Sequence, residues 1–312
     1  MSYQHPSAMP TEAVAYLNCR PERVYVDGTL GGAGHARLIC DRIGPGGRLI
    51  GIDQDEAAIS HGRMQLSTCS PRVDLFHDNF SNLPSILRTV GISGVDGILL
   101  DLGISQYHLA SSGRGFSFQK DEPLDMRMDA RSGLTAADLV NERSASDLER
   151  IFKTNGEERW ARRIAGRIVS SRAMESIRTS KQLVQVVLDA VPAGYAARQR
   201  IHPATRVFMA LRIAVNQELA ELSRFLDTVL DILNPEGRLC ILSFHSLEDR
   251  IVKRQFKTWA KGCTCPADFP ICACGKSPVV RVLTPHVIRP TDVEVAANPL
   301  AGSTRLRAME RL

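Results

Sequence analysis

Four glycines fall within seven positions of the segment VDGTLGGAGH, residues 26–35. They follow an apolar run directly, at Gly28, Gly31, Gly32 and Gly34. A turn without side chains lets a bound nucleotide approach the main chain, typically after the first strand of a parallel sheet. Glycine-rich turns also occur as plain connectors between elements, so the loop by itself fits either interpretation.

Two carboxylates lie where a nucleoside ligand would need them. Asp53 ends the segment RLIGID, 19 residues after Gly34, a spacing at which an acidic residue reaches ribose hydroxyls. Asp27 can accept a hydrogen bond from an ammonium group, which a methionyl moiety carries, or it can be a turn residue that satisfies local amides. A pyrophosphate needs free helix N-terminal amides and usually a basic side chain, whereas a methionyl ammonium needs an acceptor such as Asp27, so S-adenosylmethionine fits better than NAD. The loop spacing G-x-x-G-G-x-G also departs from the G-x-G-x-x-G of dinucleotide-binding loops.

Two further residues can accept a proton. Asp101 ends the segment DGILLD, and His245 lies in LSFHSLED. A carboxylate or an imidazole at the end of a parallel strand can serve as a general base beside a bound cofactor. Asp101 can equally be a cofactor contact only, and Ser246 with Asp249 fits an S-x-x-D helix cap. We therefore predict Asp101 and His245 as candidate catalytic residues.

Basic and apolar residues recur at intervals of four in the middle of the chain. The two sets are Arg159, Arg163 and Arg167, and one position later Trp160, Ile164 and Ile168. On a single helix over residues 157–172 they form a basic stripe beside an apolar stripe. The apolar stripe predicts core, and the basic stripe predicts contact with RNA phosphates. Arg206, in HPATR, either contacts RNA or braces a domain junction.

Four cysteines form two C-x-C pairs in GCTCPADFPICACG. They are Cys263, Cys265, Cys272 and Cys274. Paired cysteines can hold zinc, although zinc sites more often use C-x-x-C. A metal site and a turn-rich thiol loop both remain open. The other four cysteines are scattered, which is typical of buried thiols in a reducing compartment.

Short apolar runs alternate with helical patterns over the first hundred residues. Strands are predicted at 23–27, 48–53, 73–77 and 97–101, and helices at 36–42, 57–66 and 83–90. This alternation indicates βαβ units and a parallel sheet covered by helices. The predicted fold class is therefore α/β, and the glycine loop and the three aspartates lie at the carboxyl ends of its strands.

The alternation stops after residue 101. Helices are predicted at 145–153, 157–172 and 180–190, and a long helical stretch follows over 204–233. A strand follows at 237–244, and two more near 279–284 and 304–310 suit an antiparallel edge pair. A sheet that pauses and resumes predicts a domain inserted into another. We assign residues 1–108 and 206–312 to a discontinuous cofactor-binding domain and 109–205 to an inserted helical domain.

Composition and charge favour an ordinary globular protein. The chain has 312 residues, 44% of them hydrophobic, and a net charge of +5. Residues 110–205 contain 16 Lys/Arg and 12 Asp/Glu, so this third of the chain holds most of the excess, which suits a polyanionic partner or a solvated face. No apolar run reaches the roughly 18 residues of a membrane span, and the N-terminus lacks a signal-peptide pattern. We expect a cytoplasmic protein without a membrane partner, and the oligomeric state stays open.

Several motifs together resemble the ribosomal RNA small subunit methyltransferase H family, also called MraW. They are VDGTLGGAGHARLI, GIDQD, DGILLDLGIS, RGFSF, PLDMRMD, GEERWARRIA, HPATRVFMALRIAVNQEL and LSFHSLEDRIVKR. The similarity runs in register over nearly the whole chain, and LDMRMD, HPATR and SFHSLEDR are its most specific parts.

The resemblance implies a class I, Rossmann-like S-adenosylmethionine-dependent methyltransferase with an inserted all-helical substrate-recognition domain. It implies methylation of N4 of a cytidine in the decoding region of 16S rRNA, within the small ribosomal subunit. The implied cofactor contacts are Ala33, Gly34, His35, Asp53 at the ribose, Phe80 beside the adenine, and Asp101. One site departs from the family pattern, because His108 stands where the family's S-S-P-Q has glutamine. The resemblance therefore implies a cofactor contact at His108, with histidine replacing the amide.

Two other function classes compete with this interpretation. A noncatalytic RNA-binding ribosome-assembly factor that retains the cofactor fold would bind RNA without turnover. An NAD-dependent oxidoreductase would bind nicotinamide, but its loop would need different spacing.

Overall fold

The computed structural model describes residues 7–131, 133–192, 194, 201–263, 265, 271 and 274–312. These residues divide into two compact units. The sheet unit comprises the described parts of Ser2–Gly103 and Leu219–Leu312, and the helical unit comprises those of Ile104–Glu218. The insertion bounds expected from the sequence, 109–205, lie inside the helical unit, and its role in substrate recognition stays a prediction.

One mixed sheet of seven strands forms the sheet unit. The strands are β1 Val24–Asp27, β2 Arg48–Asp53, β3 Arg72–His77, β4 Val95–Asp101, β5 Leu233–Ser243, β6 Val280–Val282 and β7 Arg305–Arg311. Their order is β3-β2-β1-β4-β5-β7-β6. The first five are parallel, and β7 runs antiparallel to both β5 and β6. The expected antiparallel edge pair is confirmed.

Helices connect the strands and build the helical unit. They are α1 Pro10–Leu17, α2 Gly34–Ile43, α3 Glu56–Gln65, α4 Leu83–Thr89, α5 Gln106–Ala110, α6 Ala136–Glu142, α7 Ala145–Gly156, α8 Ala161–Arg172, α9 Ser180–Ala190, α10 Ala204–Val215, α11 Glu218–Ile232, α12 Ser246–Lys261 and α13 Asp292–Ala297. Within the residues that the structure describes, no helix is both long and apolar enough to cross a bilayer.

The strands are apolar on both faces because helices cover the sheet on both sides. Val26 and Ile98 pack in one buried cluster with Phe256 of α12. Their neighbours Tyr25 and Leu99 pack in the opposite cluster with residues of α1 and α2. This alternation follows from the period of two along a strand. The fold is Rossmann-like α/β, as predicted, and β1 lies between β2 and β4, where such sheets bind ligands beyond the carboxyl ends of their strands.

The helical unit has its own hydrophobic core, with Phe152 of α7, Ile164 of α8 and Phe208 of α10 among its buried residues. The described part of this unit contains no strand, only an isolated bridge between Pro123 and Thr179. The long helical stretch expected over 204–233 is confirmed except at a turn over residues 216–217 and at Leu233, which begins β5. Gln217 has a left-handed backbone, φ 51°, which a right-handed helix cannot continue, so α10 and α11 are separate.

Candidate functional site

The glycine-rich loop joins β1 to α2 through left-handed backbone. Gly31 has φ 47° and Ala33 has φ 61°, and Ala33 is the residue before the first turn of α2. A left-handed alanine costs about 1 kcal/mol relative to glycine. Here its methyl group is buried at 1% exposure in the core, which offsets that cost. The amide of Ala33 donates to the Leu30 carbonyl at 2.7 Å and closes the turn.

Two of the four glycines are explained by close approaches within the protein. A Cβ at Gly28 would overlap the Leu100 side chain and press on Phe80. A Cβ at Gly34 would overlap the Ser7 hydroxyl. Part of the glycine content therefore makes room for the protein's own chain, and cofactor contact at Gly34 stays a prediction.

Three carboxylates end neighbouring strands of the sheet. Asp27 ends β1, Asp53 ends β2 and Asp101 ends β4. Asp53 accepts the backbone N–H groups of Gly31 and Asp55, each at 2.8 Å, so it ties the glycine loop to β2. Asp27 Oδ1 accepts the N–H of Thr29 at 3.2 Å.

The side chain of Thr29 also holds the glycine loop in place, a role that the sequence did not predict. Its Oγ1 accepts the backbone N–H of Asp101 at 2.6 Å, so the glycine loop is bonded to the end of β4 as well as to β2. The threonine lies inside the segment that the sequence singles out, but its pairing needs the β1–β4 neighbourhood. The loop is thus held on both sides of β1.

Three buried oxygens at this edge have no hydrogen-bond partner within the described residues. They are Asp27 Oδ2, Asp101 Oδ1 and Ser243 Oγ, at the ends of β1, β4 and β5. A buried polar atom left unpaired costs about 1–3 kcal/mol, so such atoms point to a ligand with donors. An S-adenosylmethionine ammonium and a substrate amine are donors of this kind, and the residues present fit them.

Two of these carboxylates, Asp27 and Asp101, have pKa values above that of an ordinary aspartate. Burial raises the pKa of Asp27 to about 7, and nearby Asp53 adds to this, while the Thr29 amide opposes it. Burial also raises the pKa of Asp101 well above its usual range, and the negative charges of Asp27 and Glu248 add to the effect. A cation placed among these groups would reverse both shifts.

His35 lies in the first turn of α2 against Asp101. Its Nε2 is 2.9 Å from the Ala8 carbonyl, and its Nδ1 is 3.7 Å from Asp101 Oδ2. A carbonyl only accepts, so Nε2 carries the proton. In the neutral ring Nδ1, which faces the Asp101 carboxyl, is then the acceptor nitrogen. The structure brings His35 and Asp101 together, whereas the resemblance implies cofactor contact for each without placing them side by side.

Asp27→Asn is expected to change how stability depends on pH. The folded-state carboxyl stays protonated up to about pH 7, whereas the unfolded one ionises near 4. The wild type therefore loses stability as pH rises between these values. Between pH 5 and pH 8 its free energy of unfolding should fall by about 3 kcal/mol relative to Asp27→Asn, since the two pH units between 5 and the folded-state pKa of about 7 are worth about 1.4 kcal/mol each.

Urea unfolding of both proteins at pH 5 and pH 8 measures this difference. Asp41→Asn is the control, because the Asp41 carboxylate is 60% exposed on α2 and should give parallel curves. Equal changes for wild type and Asp27→Asn would contradict the raised pKa.

Phe80 begins a short 3₁₀-helix after β3 and is 6% exposed. Its ring meets Phe225 edge-on, with centroids 5.6 Å apart, and its Cβ lies beside Gly28. Phe80 is thus a core residue of the sheet unit that also lies next to the glycine loop. Its contact with an adenine ring stays a prediction.

His245 is the N-cap of α12. Its Nδ1 accepts the Glu248 N–H at 3.4 Å, and its Nε2 is 3.1 Å from Glu248 Oε1. The cap expected at Ser246 with Asp249 is wrong, because the helix begins one residue earlier and Asp249 pairs with Arg307 at 2.6 Å. Despite this short separation, His245 Nε2 is buried and makes no hydrogen bond within the described residues, and the catalytic role of His245 stays a prediction.

His108 belongs to the helical unit and lies in α5. It forms a capping box with Ser105, whose Oγ is 3.0 Å from His108 Nδ1. Its ring packs 4.9 Å from that of Phe116. These contacts give His108 a local structural role, and cofactor contact there stays a prediction.

The basic stripe expected on one helix over 157–172 is wrong at its first member. Arg159 precedes α8 and stacks on Trp160 at 5.5 Å. The cause is Glu157, whose left-handed backbone, φ 47°, ends α7. Arg163 and Arg167 are exposed on α8. The expected apolar stripe is confirmed at Ile164 and Ile168, which are buried there, whereas Trp160 is half-buried and is the residue before the first turn of α8.

Two of the predicted RNA-contacting arginines have protein partners in the helical unit. Arg167 pairs with Asp189 at 3.0 Å. Arg206 donates from Nη1 to the Glu157 carbonyl at 3.0 Å, just past the end of α7. Arg206 therefore braces two helices of one unit, and RNA contact by these arginines stays a prediction.

The cysteine loop follows α12. Cys263, Cys265 and Cys274 offer sulfur atoms that all lie within 4.8 Å of one another. Cys272 lies outside the described residues.

Comparisons with known proteins identify the family of this chain. A family model described as the MraW methylase family matches residues 2–312. The ribosomal RNA small subunit methyltransferase H of Desulfosudis oleivorans is 54% identical over 312 residues, and that of Desulforapulum autotrophicum is 52% identical. Both alignments cover 100% of each chain.

A solved structure of Aeropyrum pernix fibrillarin with natively bound S-adenosyl-L-methionine aligns with a TM-score of 0.40 and 8% identity. It covers 96% of this chain and 73% of that one. The family model matches nearly the full length of the chain, and both relatives are more than 50% identical to it over their full lengths. The chain belongs to the MraW methylase family.

Proposed function

We propose that this chain transfers a methyl group from S-adenosyl-L-methionine to N4 of a cytidine in the decoding region of 16S rRNA. As a member of a methylase family it is a methyltransferase, and S-adenosyl-L-methionine is its cofactor. Its relatives are named as ribosomal RNA small subunit methyltransferases, which makes ribosomal RNA the substrate class. The motif resemblance supplies the N4 position, the cytidine and the small-subunit context.

The observation that carries the proposal is the group of unpartnered oxygens beside the glycine loop. Asp27 Oδ2 and Asp101 Oδ1 are buried and unbonded within the described residues. Carboxylates in such a setting suit a cationic methyl donor and a nucleophile that must lose a proton, and they suit neither the pyrophosphate of NAD nor RNA binding alone.

Each carboxylate has a proposed part in the reaction. S-adenosyl-L-methionine supplies an electrophilic methyl group when it is bound. Asp53 holds the ribose hydroxyls and Asp27 the ammonium group. A cytosine amine is a weak nucleophile, because its lone pair is delocalised into the ring. Asp101 Oδ1 therefore accepts a proton from N4 while the amine is held in line with the methyl group.

The charge of the helical unit supports a role in binding RNA. Its α8 carries Arg162 and Arg163 on the solvent side, next to Arg167, which pairs with Asp189. Exposed cations on one helix attract phosphates without reading sequence. We assign RNA orientation to this unit and methyl transfer to the sheet unit.

Incubation with unmodified small ribosomal subunits and isotopically labelled S-adenosyl-L-methionine tests the proposal. Nucleoside mass spectrometry after nuclease digestion should find the label in N4-methylcytidine, and mapping should place it at one nucleotide of the decoding region. Parallel incubation with naked 16S rRNA identifies whether the assembled subunit is required.

Three outcomes would overturn the assignment. Label in another nucleoside would contradict N4 specificity. Label in N4-methylcytidine outside the decoding region would contradict the site. Tight binding of subunits with no transfer to either substrate would instead indicate a noncatalytic assembly factor.

A further inference from the structure

The loop after α12 contains a group of thiols that the methyl-transfer reaction does not use. Sγ of Cys274 lies 3.7 Å from Sγ of Cys263, and Cys265 completes a set whose sulfurs are all within 4.8 Å of one another. The Cys263 to Cys274 separation is far longer than the roughly 2.05 Å of a disulfide bond. It matches the roughly 3.8 Å edge of a tetrahedron with Zn–S bonds of about 2.3 Å.

Contacts that do not involve sulfur bring together the two ends of this loop, the outgoing arm that begins at Gly262 and the returning arm at Ser277 and Pro278. Gly262 caps the C-terminal end of α12, with φ 66° and an amide that donates to the Thr258 carbonyl at 3.1 Å. A Cβ at Gly262 would overlap the backbone of Ser277 and Pro278. The outgoing and returning arms are therefore in backbone contact, next to the cysteines on each arm.

A second contact fixes the return of the chain into the sheet. The amide of Val279 donates to the Trp259 carbonyl at 3.1 Å, and β6 begins one residue later. The cysteines at 263 and 274 are thus placed by contacts that do not involve sulfur. A site whose frame is set by the protein loses less entropy on binding an ion.

From these contacts we infer that Cys263, Cys265 and Cys274 bind a zinc ion that closes the loop after α12. Three thiolates and no carboxylate form a soft ligand set, which selects zinc over magnesium or calcium. Three ligands leave one position of a tetrahedral ion for a fourth donor. The exposed Lys261 and Lys276 lie within two residues of the cysteines and offset the net negative charge of the filled site.

Zinc content is the direct test, and it is independent of the proposed methylation. Untagged protein, purified under reducing conditions without chelator and dialysed against trace zinc, should contain about one zinc ion per chain by plasma mass spectrometry. Cys263→Ser and Cys274→Ser should lower this to near zero. Cys69→Ser is the matched control, because Cys69 is a half-buried thiol outside the loop and its loss should leave the zinc content unchanged.

Two measurements keep the proposal falsifiable if a serine variant fails to fold. A mercurial reagent titrated into wild-type protein should release the zinc as thiols are blocked, with a colorimetric chelator as the readout. Cobalt replacing zinc should give the thiolate charge-transfer absorption of a tetrahedral site. Equal zinc in wild type and Cys274→Ser, cobalt spectra without thiolate bands, or a mass lower by two hydrogens, as a disulfide gives, would each overturn the zinc site.

Discussion

Replacing Asp101 with alanine is expected to lower the single-turnover rate of methyl transfer by about 10²–10⁴-fold, the usual worth of a positioned proton acceptor. The affinity for S-adenosyl-L-methionine should change less than about tenfold, because the proposed role concerns the amine of the substrate. The reason lies in the environment of Asp101, whose Oδ1 is buried, has no partner within the described residues and lies at the end of β4.

The pH dependence of the methyl-transfer rate distinguishes a proton-accepting Asp101 from one that only contacts the cofactor. The pKa of Asp101 is raised by burial, and only its ionised form accepts a proton. The wild-type rate should therefore rise with pH up to this raised pKa, and Asp101→Asn, which keeps the shape, should lose that dependence. Rapid-quench assays across pH, with calorimetric cofactor titrations, measure both quantities. A large loss of cofactor affinity with an unchanged rate at saturation would make Asp101 a cofactor contact only.

Asp53→Ala is expected to weaken S-adenosyl-L-methionine binding by at least about 100-fold. Hydrogen bonds to a charged acceptor are worth roughly 1.5–3 kcal/mol each, and two ribose hydroxyls would lose theirs. The glycine loop would also loosen, since Asp53 accepts the amide of Gly31 at 2.8 Å. Both effects act on binding and not on the packed core, so the fold should persist.

Isothermal titration calorimetry of wild type and variant gives this comparison. Asp41→Ala is the matched control, because it removes a carboxylate from the exposed face of the neighbouring α2 and should bind the cofactor normally. Circular dichroism checks that each variant is folded. Unchanged affinity in a folded Asp53→Ala protein would show that the ribose is held elsewhere.

Most strands of the sheet were predictable from the sequence, whereas several helix ends were not. Strands β1 to β4 are apolar runs closed by aspartate or histidine, and their alternation with helices was enough to predict a parallel sheet. The helix breaks at Glu157 and Gln217 were not predictable, because each residue has a left-handed backbone that non-glycine residues adopt rarely. The resulting displacement of Arg159 from α8 follows from the same cause.

The sequence predicted the three carboxylates of the candidate site but not the contacts that other residues make with them. Asp27, Asp53 and Asp101 end strands, so parallel topology alone brings them to one edge. The approach of His35 to Asp101 depends on how the first turn of α2 is oriented, and the bond from Asp101 to Thr29 needs β1 and β4 to be neighbours. The cap at His245 escaped prediction because histidine is not among the usual N-cap residues.

The placement of β4 beside β5 has a consequence for biosynthesis. These strands are hydrogen-bonded neighbours, yet about 140 residues separate their ends at Asp101 and Ser243. At about 5–20 residues per second, the ribosome needs roughly 7–30 s to deliver β5 after β4. Until β5 is available, the main-chain N–H and C=O groups along the edge of β4 that β5 covers have no partner strand. We therefore expect this edge of β4 to be the part of the nascent sheet unit that is most exposed to aggregation before synthesis of β5 is complete.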